Sequence, residues 1–297
     1  KSGFTRSRLL MPLVFAAALG GNLSLIGAPG NLIAQSALQN IGSGFGFFEY
    51  AKVGLPMLVC GILYFLTIGY KFLPNNSNSS EVGSIGEQRD YSHVPRWKQI
   101  LSLVVLIATI LGMIFEKQTG ISLTVAGCIG ALVLVITGVL TEKQAYKAID
   151  SQTIFIFGGT LALAKALEMT GAGKLVADQV IGLLGNNSSP FMLLVVVFAL
   201  SVVMTNFMSN TATVALLVPV SLSIAAGMGA DPRAVLMATV IGSSCAYATP
   251  IGMPANMMVL SAGGYKFVDY AKSGIPLIIV STIVSLILLP ILFPFHP

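Results

Sequence analysis

Charge is what this chain has least of: only 9% of its 297 residues are Asp, Glu, Lys or Arg, against about a quarter in an ordinary soluble domain. That shortage excludes a soluble globule, which would lack the polar surface to cover itself. With 55% hydrophobic residues and a mean hydropathy of +0.87, the solvent must be lipid. Cysteine is nearly missing as well. Cys60, Cys128 and Cys245 each sit in an apolar segment, which excludes a disulfide framework and leaves small packing residues. Histidine occurs twice, at His93 and His296, both outside the expected spans, and all eleven acids lie at segment ends or in loops. Proton relays and metal-dependent intramembrane enzymes need ionisable groups in mid-membrane. None stands there, so enzyme chemistry is the least supported class. The net charge of +5 is scattered over segment ends without interleaved aromatics, which argues against nucleic acid as a partner.

What the chain does have is uncharged length. Runs without Asp, Glu, Lys or Arg cover 9–48, 53–70, 99–115, 118–141, 179–230, 234–265 and 273–297. Several exceed the roughly 20 residues a helix needs to cross hydrocarbon. Lipid offers backbone polar groups no partner outside their own segment, so these runs are expected to be helical. One polar stretch of any length, 73–96, divides them; Lys71, Arg89, Arg96 and Lys98 cluster around it, and Lys143 and Lys147 follow two spans later. Short Lys/Arg-rich loops stay on the cytoplasmic side, which orients the chain in the cytoplasmic (inner) membrane. The sequon at Asn75 to Ser77 is then a polar turn.

The chain also repeats itself. Arg8 to Asn31 returns without a gap as Arg233 to Asn256: Ile26-Gly27 pairs with Ile251-Gly252, Pro29 with Pro254 and Asn31 with Asn256. Further on, Glu49-Tyr50-Ala51-Lys52 with Gly54 and Pro56 returns as Asp269-Tyr270-Ala271-Lys272 with Gly274 and Pro276. Such a repeat, with Gly and Pro inside apolar segments, points to a secondary transporter whose site lies where two halves meet. On this offset the first unit lacks roughly 125 residues present in the second. The chain is therefore expected to be N-terminally truncated, with a further polar hairpin tip about 16 residues before Lys1.

Two kinds of exception interrupt the helical pattern. Residues 190–228 are uncharged and too long for one untilted span, yet Thr205-Asn206-Phe207-Met208-Ser209-Asn210-Thr211-Ala212-Thr213 sits in their middle. A re-entrant hairpin would place that tip inside the protein. Hydroxyls and amides beside broken backbone can hold a hard cation, and the following helix start can attract an anion; equally, Ser and Thr there can bond to their own helix or glue helices together. The second exception is the pair Ile26-Gly27-Ala28-Pro29-Gly30-Asn31 and Ile251-Gly252-Met253-Pro254-Ala255-Asn256. Proline removes a donor and clashes with the preceding turn, so both helices should break near mid-membrane and free carbonyls for a cation. A ligand-free kink is the alternative.

Ser209-Asn210-Thr211 at a hairpin tip, followed by Gly252-Met253-Pro254-Ala255-Asn256, resembles the second half of the divalent-anion/sodium symporters, the sodium-coupled sulfate and dicarboxylate carriers. Gly20-Gly21 to Asn31 resembles the matching break of the first half, and the likeness takes in Phe157-Gly158-Gly159. The resemblance implies a sodium site made by Thr205, Ser209, Asn210 and the Gly252 carbonyl. Asn210 and Thr211 would also touch the anion, with Met253 and Pro254 lining the pocket. In the first half it implies roles for Gly27 in sodium binding and for Ala28 and Pro29 at the substrate. The chain departs from the family's Thr-Pro-Pro-Asn pattern, since Met253 and Ala28 stand for hydroxyl residues and Ala255 and Gly30 for prolines. Side-chain contacts to substrate are in question there, while carbonyl coordination is not. Asn256, farther along its helix, is expected to matter less to the anion than Asn210.

The expected architecture is an all-α, multi-span helical membrane transporter with two repeats, a re-entrant hairpin and discontinuous helices. Residues 1–72 would be the end of the first repeat, 73–96 a cytoplasmic linker and 97–297 a complete second repeat, with the hairpin at about 190–228 and the broken helix at about 233–262. The expected activity is Na⁺-coupled symport of a small divalent anion, of sulfate or C4-dicarboxylate/citrate type. The alternative is an oxyanion efflux permease or cation/proton antiporter sharing the hairpin architecture. Anion and membrane lipid are the expected partners; a homodimer is left open.

Overall fold

The computed structural model describes residues 5–74, 94–149 and 189–294, with scattered positions between 151 and 182. Most of the linker at 73–96, as well as Phe157, lies outside the described residues. Every regular element among those described is helical, as apolar runs in lipid demand. In chain order they are α1 (Arg6–Gly20) with a 3-10 turn at Gly21–Leu23, α2 (Pro29–Gln39), α3 (Ala51–Thr67) with a 3-10 turn at Gly69–Lys71, α4 (Arg96–Ile114), the short α5 (Glu116–Thr119), α6 (Leu123–Ile136), α7 (Glu142–Ala148), α8 (Pro190–Thr205), α9 (Asn210–Met228), α10 (Pro232–Ser243), α11 (Pro254–Ala262) and α12 (Phe267–Leu292). Three of these, α4, α9 and α12, are long and apolar enough to cross a membrane; α3, α6 and α8 are shorter apolar helices.

The chain divides into two units, residues 1–83 with 155–297 and residues 84–154. At the centre of the larger unit is α10, buried at every position from Ala234 to Ser243. A helix apolar on all sides has to be surrounded, and α10 lies against α2, α8, α9 and α12. Leu193 and Val197 of α8, Ile224 and Ala225 of α9 and Val235 of α10 form one buried cluster. On the other side of the unit α3 runs along α12, and α1 contacts α3 and α11.

Both prolines singled out above open a helix. Pro29 and Pro254 are the first residues of α2 and α11, where a missing N–H costs nothing and the fixed φ is already helical. The unwound backbone precedes them, at 24–28 and 244–253. Proline here starts the second half-helix; it does not kink a continuous one.

Contacts recur at the repeat spacing. Tyr50 donates its hydroxyl proton to the carbonyl of Asn31, and Tyr270 donates to that of Asn256. The amide of Gly46 donates to the carboxylate of Glu49, and that of Lys266 to Asp269. The ring of Phe45 lies 5.1 Å from Tyr50, and that of Tyr265 lies 5.7 Å from Tyr270. Gly54 of α3 and Gly274 of α12 let their helices pass directly over the carbonyls of Asn22 and Tyr247, where a Cβ would collide with backbone. The two segments also clasp each other. Tyr265 accepts from the Met11 amide and donates to the Ser7 carbonyl of α1, while Arg233 of α10 pairs with Glu49 and lies over the rings of Phe45 and Phe293.

In the smaller unit α4 packs on α6 through small residues. Gly130 faces Thr109 and Gly112 faces Ala126, the close approach that lipid-embedded helices favour. Outward from this seam stand Ile100, Leu103, Val104, Leu106 and Ile107 of α4 and Val125, Ile129 and Leu132 of α6, all exposed. A capping box of Thr141 and Gln144 starts α7, so the chain turns sharply out of the apolar region.

Candidate functional site

The tip between α8 and α9 is a four-residue turn, Asn206 to Ser209. It is fixed by buried polar bonds to the unwound segment after α10. The amide nitrogen of Asn206 donates to the carbonyls of Val202 (2.7 Å) and Cys245 (3.2 Å), its oxygen accepts from the Ala248 amide (2.9 Å), and Thr249 donates to the Asn206 carbonyl (2.6 Å). All four hydrogen bonds join groups that burial would otherwise leave costly. Asn206 and Thr249 were visible in the sequence as polar residues of the tip and the broken segment, but nothing in their spacing indicated that they face each other.

Behind this tie four oxygen-bearing groups converge. Thr205 ends α8 and is fully buried; its hydroxyl donates to the Ser243 carbonyl at 2.5 Å. Asn210 opens α9. In the amide orientation that satisfies both of its ends, its nitrogen donates to the Gly252 carbonyl at 2.8 Å, to Thr205 Oγ1 at 2.9 Å and to the Ser243 carbonyl at 3.2 Å. Gly252 fits only because it has no side chain, since a Cβ would run into the Thr205 carbonyl and Ala246. The protein thus holds one hydroxyl, one amide and two carbonyls released by unwinding within hydrogen-bond reach of a single point. All are neutral. Such a set can ligate a hard monovalent cation in place of the amide protons that now occupy it.

The structure brings Thr205, Asn210 and Gly252 together and adds the Ser243 carbonyl, which sequence reasoning missed because a backbone carbonyl leaves no side-chain signature. Ser209 is next in the chain, but its hydroxyl accepts from the Ala212 amide at 3.2 Å as the cap of α9. Thr211 and Met253 are half-buried and Pro254 is exposed, placing them at the rim. Gly27 and Pro29 are exposed, with Ala28 half-buried. They join this region through the next residue, Gly30, whose position is in contact distance of Val214, one turn into α9. The starts of α2, α9 and α11 therefore converge.

Those starts differ in their caps. Ser122, Thr141, Ser189, Ser209 and Asp231 each accept a hydrogen bond from the first turn of their own helix. Ala28 and Met253, at the corresponding positions of α2 and α11, supply none. Pro29 and Pro254 have no N–H, and the amides of Asn31 and Asn256 donate to the carbonyls of Ala28 and Met253, which leaves the Gly30 and Ala255 N–H groups, with the positive end of the helix dipole, for an outside acceptor.

Residues 1–232 and 110–296 each match the family described as Citrate transporter. The chain belongs to that family. Its members are transporters and not enzymes. Among its relatives, an uncharacterized transporter of Methanocaldococcus jannaschii is 31% identical over 290 residues, covering 96% of this chain and 64% of that protein. A sodium-dependent dicarboxylate transporter of Staphylococcus aureus is 25% identical over 306 residues, covering 96% of this chain and 58% of the relative. A transporter of Escherichia coli is 35% identical over 171 residues, or 58% of this chain and 28% of its own length. The chain thus spans less than two thirds of these relatives.

Proposed function

We propose that the protein carries a small divalent anion across the cytoplasmic membrane in symport with Na⁺. The family and the likeness to a sodium-dependent dicarboxylate transporter favour a C4-dicarboxylate or citrate-type substrate over sulfate. The observation that supports the coupling ion is the set of neutral oxygens, the Thr205 hydroxyl and the Ser243 and Gly252 carbonyls, gathered around the Asn210 amide. A cation held by neutral ligands brings its full charge to the site, and that charge is what a dianion requires in a low dielectric. Among the described residues no Lys or Arg stands beside these four groups. Substrate charge would be met by sodium and by the uncapped starts of α2 and α11, with Asn210 and Thr211 nearest to it, Met253 and Pro254 on one flank, and Ala28 and Pro29 on the other.

On this reading α8 and α9 form the re-entrant hairpin, and the segments around Gly27 and Gly252 are the matching breaks of two repeats. Gly27 would then serve a second sodium site. Affinities for Na⁺ and anion must rise together, because linkage is reciprocal.

The test is uptake of radiolabelled succinate, citrate and sulfate into proteoliposomes holding the whole protein, with Na⁺ or choline outside. Succinate or citrate accumulation that requires Na⁺ is the expected result. Flux that ignores Na⁺ and follows a proton gradient would overturn it in favour of an antiporter or efflux permease.

A further inference from the structure

Among its described residues the smaller unit gathers its excess of basic charge at one end. The first turn of α4 holds Arg96, Trp97 and Lys98, and α7 holds Glu142, Lys143, Tyr146 and Lys147. Lys98 Nζ donates to the Gly138 carbonyl at 2.6 Å, which places the start of α4 against the turn leading into α7. Among the described residues, four bases and one acid therefore share one end of the α4–α6 pair. At the far end of α4 stand Glu116 and Lys117, one of each sign.

The basic end is built for a surface and not for a buried ligand. Lys143 and Lys147 are four residues apart and Tyr146 lies between them, so all three face the same side of α7. Arg96, Lys143 and Lys147 are exposed. Trp97 and Tyr146 are 51% and 68% exposed, although aromatic rings of this size are usually covered unless a second medium takes them. Lys98 sits 5.4 Å over the Trp97 ring. Below them α4 presents Ile100, Leu103 and Leu106 outward. From bottom to top the unit runs apolar, aromatic, basic, which is the sequence of media met on leaving a bilayer through an anionic headgroup layer.

We infer that the α4 start and α7 form a binding surface for anionic phospholipid headgroups, with Lys143 and Lys147 contacting phosphate and Trp97 and Tyr146 seated at the glycerol level. Among the described residues no ion pair to Lys143 or Lys147 is formed, and their charge complements a phosphodiester layer. The surface is independent of the oxygen set at Asn210 and does not rest on the transport reading.

The chain is purified and placed in nanodiscs of phosphatidylcholine mixed with phosphatidylglycerol, and retained lipid is identified by native mass spectrometry. The wild type is expected to retain phosphatidylglycerol preferentially. The double variant Lys143→Gln and Lys147→Gln should lose that preference by about five-fold for each charge removed, while Lys143→Arg with Lys147→Arg should keep it and Lys117→Gln at the opposite end should leave it unchanged. Equal retention by wild type and the glutamine variant would overturn the inference. So would an equal loss in Lys117→Gln, or loss in the arginine variant. Displacement of the lipid by excess inorganic phosphate would overturn it too, by marking the surface as a free-oxyanion site.

Discussion

Asn31 and Asn256 make the same two hydrogen bonds at the same chain distances. Asn256 donates to the carbonyls ten and seven residues before it, Ala246 at 2.9 Å and Thr249 at 3.0 Å; Asn31 donates to Gly21 at 3.2 Å and Ser24 at 2.9 Å, again ten and seven residues back. Each amide staples the unwound segment to the half-helix that follows it, and each is fully buried. Both bonds use the amide nitrogen, while the two Oδ1 atoms are buried with no hydrogen-bond partner among the described residues.

Asn256→Asp should therefore damage the protein more than its distance from the hairpin tip suggests. The carboxylate has no proton to donate, and it would face two carbonyl oxygens in a buried place. Loss of two hydrogen bonds and an added unpaired charge predict a destabilisation of at least about 3 kcal/mol. Asn31→Asp should behave alike. Thermal unfolding of both variants in detergent measures this, and midpoints within a degree of wild type would refute the staple.

Gly54→Ala and Gly274→Ala form a second matched pair. In both, the new methyl group would meet a backbone carbonyl, that of Asn22 or of Tyr247. Carbonyls belonging to packed helices cannot retreat as a flexible side chain does, so each substitution should cost about 1–3 kcal/mol. Gly20→Ala, with nothing near its Cβ position, should be neutral or slightly stabilising. Equal stability of all three variants would remove the close-approach argument.

Arg233 and Glu49 tie α10 to the segment before α3. Both are partly covered, with side chains 32% and 15% exposed, and Arg233 also lies 5.7 Å from the Phe45 ring centroid and 5.9 Å from that of Phe293. A double-mutant cycle with Arg233→Gln and Glu49→Gln should give a coupling of about 1 kcal/mol that shrinks with added salt. Arg233→Lys should recover only part of it, because an ammonium cannot spread over two aromatic faces as a guanidinium does. A coupling of zero would reduce the contact to an incidental surface pair.

Some of this architecture was legible in the residues before any coordinates. Helix throughout followed from uncharged length alone, because lipid leaves the backbone no other partner. The duplicated Gly and Pro positions drew attention to the segments around Gly27 and Gly252, and Thr205 and Asn210 stood out as hydroxyl and amide in an apolar run. What the residues did not disclose is work done by the backbone. Ser243 contributes through its carbonyl, so its side chain gives no hint. Asn206, Thr249, Asn31 and Asn256 look like further candidate ligands by type, and only geometry separates those that tie the loops from those that face the open point. The Ser209 hydroxyl has a further use as a helix cap, accepting from the Ala212 amide, a use that any Ser before a helix can have.

Asn210 gives the sharpest test, because it stands where cation and anion would meet. Its amide nitrogen now serves the Gly252 and Ser243 carbonyls and Thr205 Oγ1. Asn210→Asp replaces that donor with a carboxylate oxygen, so several oxygens would face one another with no proton between them. Only a cation relieves this, and the variant's thermal stability should become steeply dependent on Na⁺ concentration. At the same time a negative charge is added beside the dianion. At about 4 Å and an effective dielectric near 20, the repulsion is about 4 kcal/mol, which corresponds to roughly a thousandfold loss of substrate affinity. Succinate binding and unfolding midpoints are measured across a range of Na⁺ concentrations for wild type and Asn210→Asp. Wild-type succinate affinity in the variant would take Asn210 out of the anion site, and a midpoint indifferent to Na⁺ would take it out of the cation site.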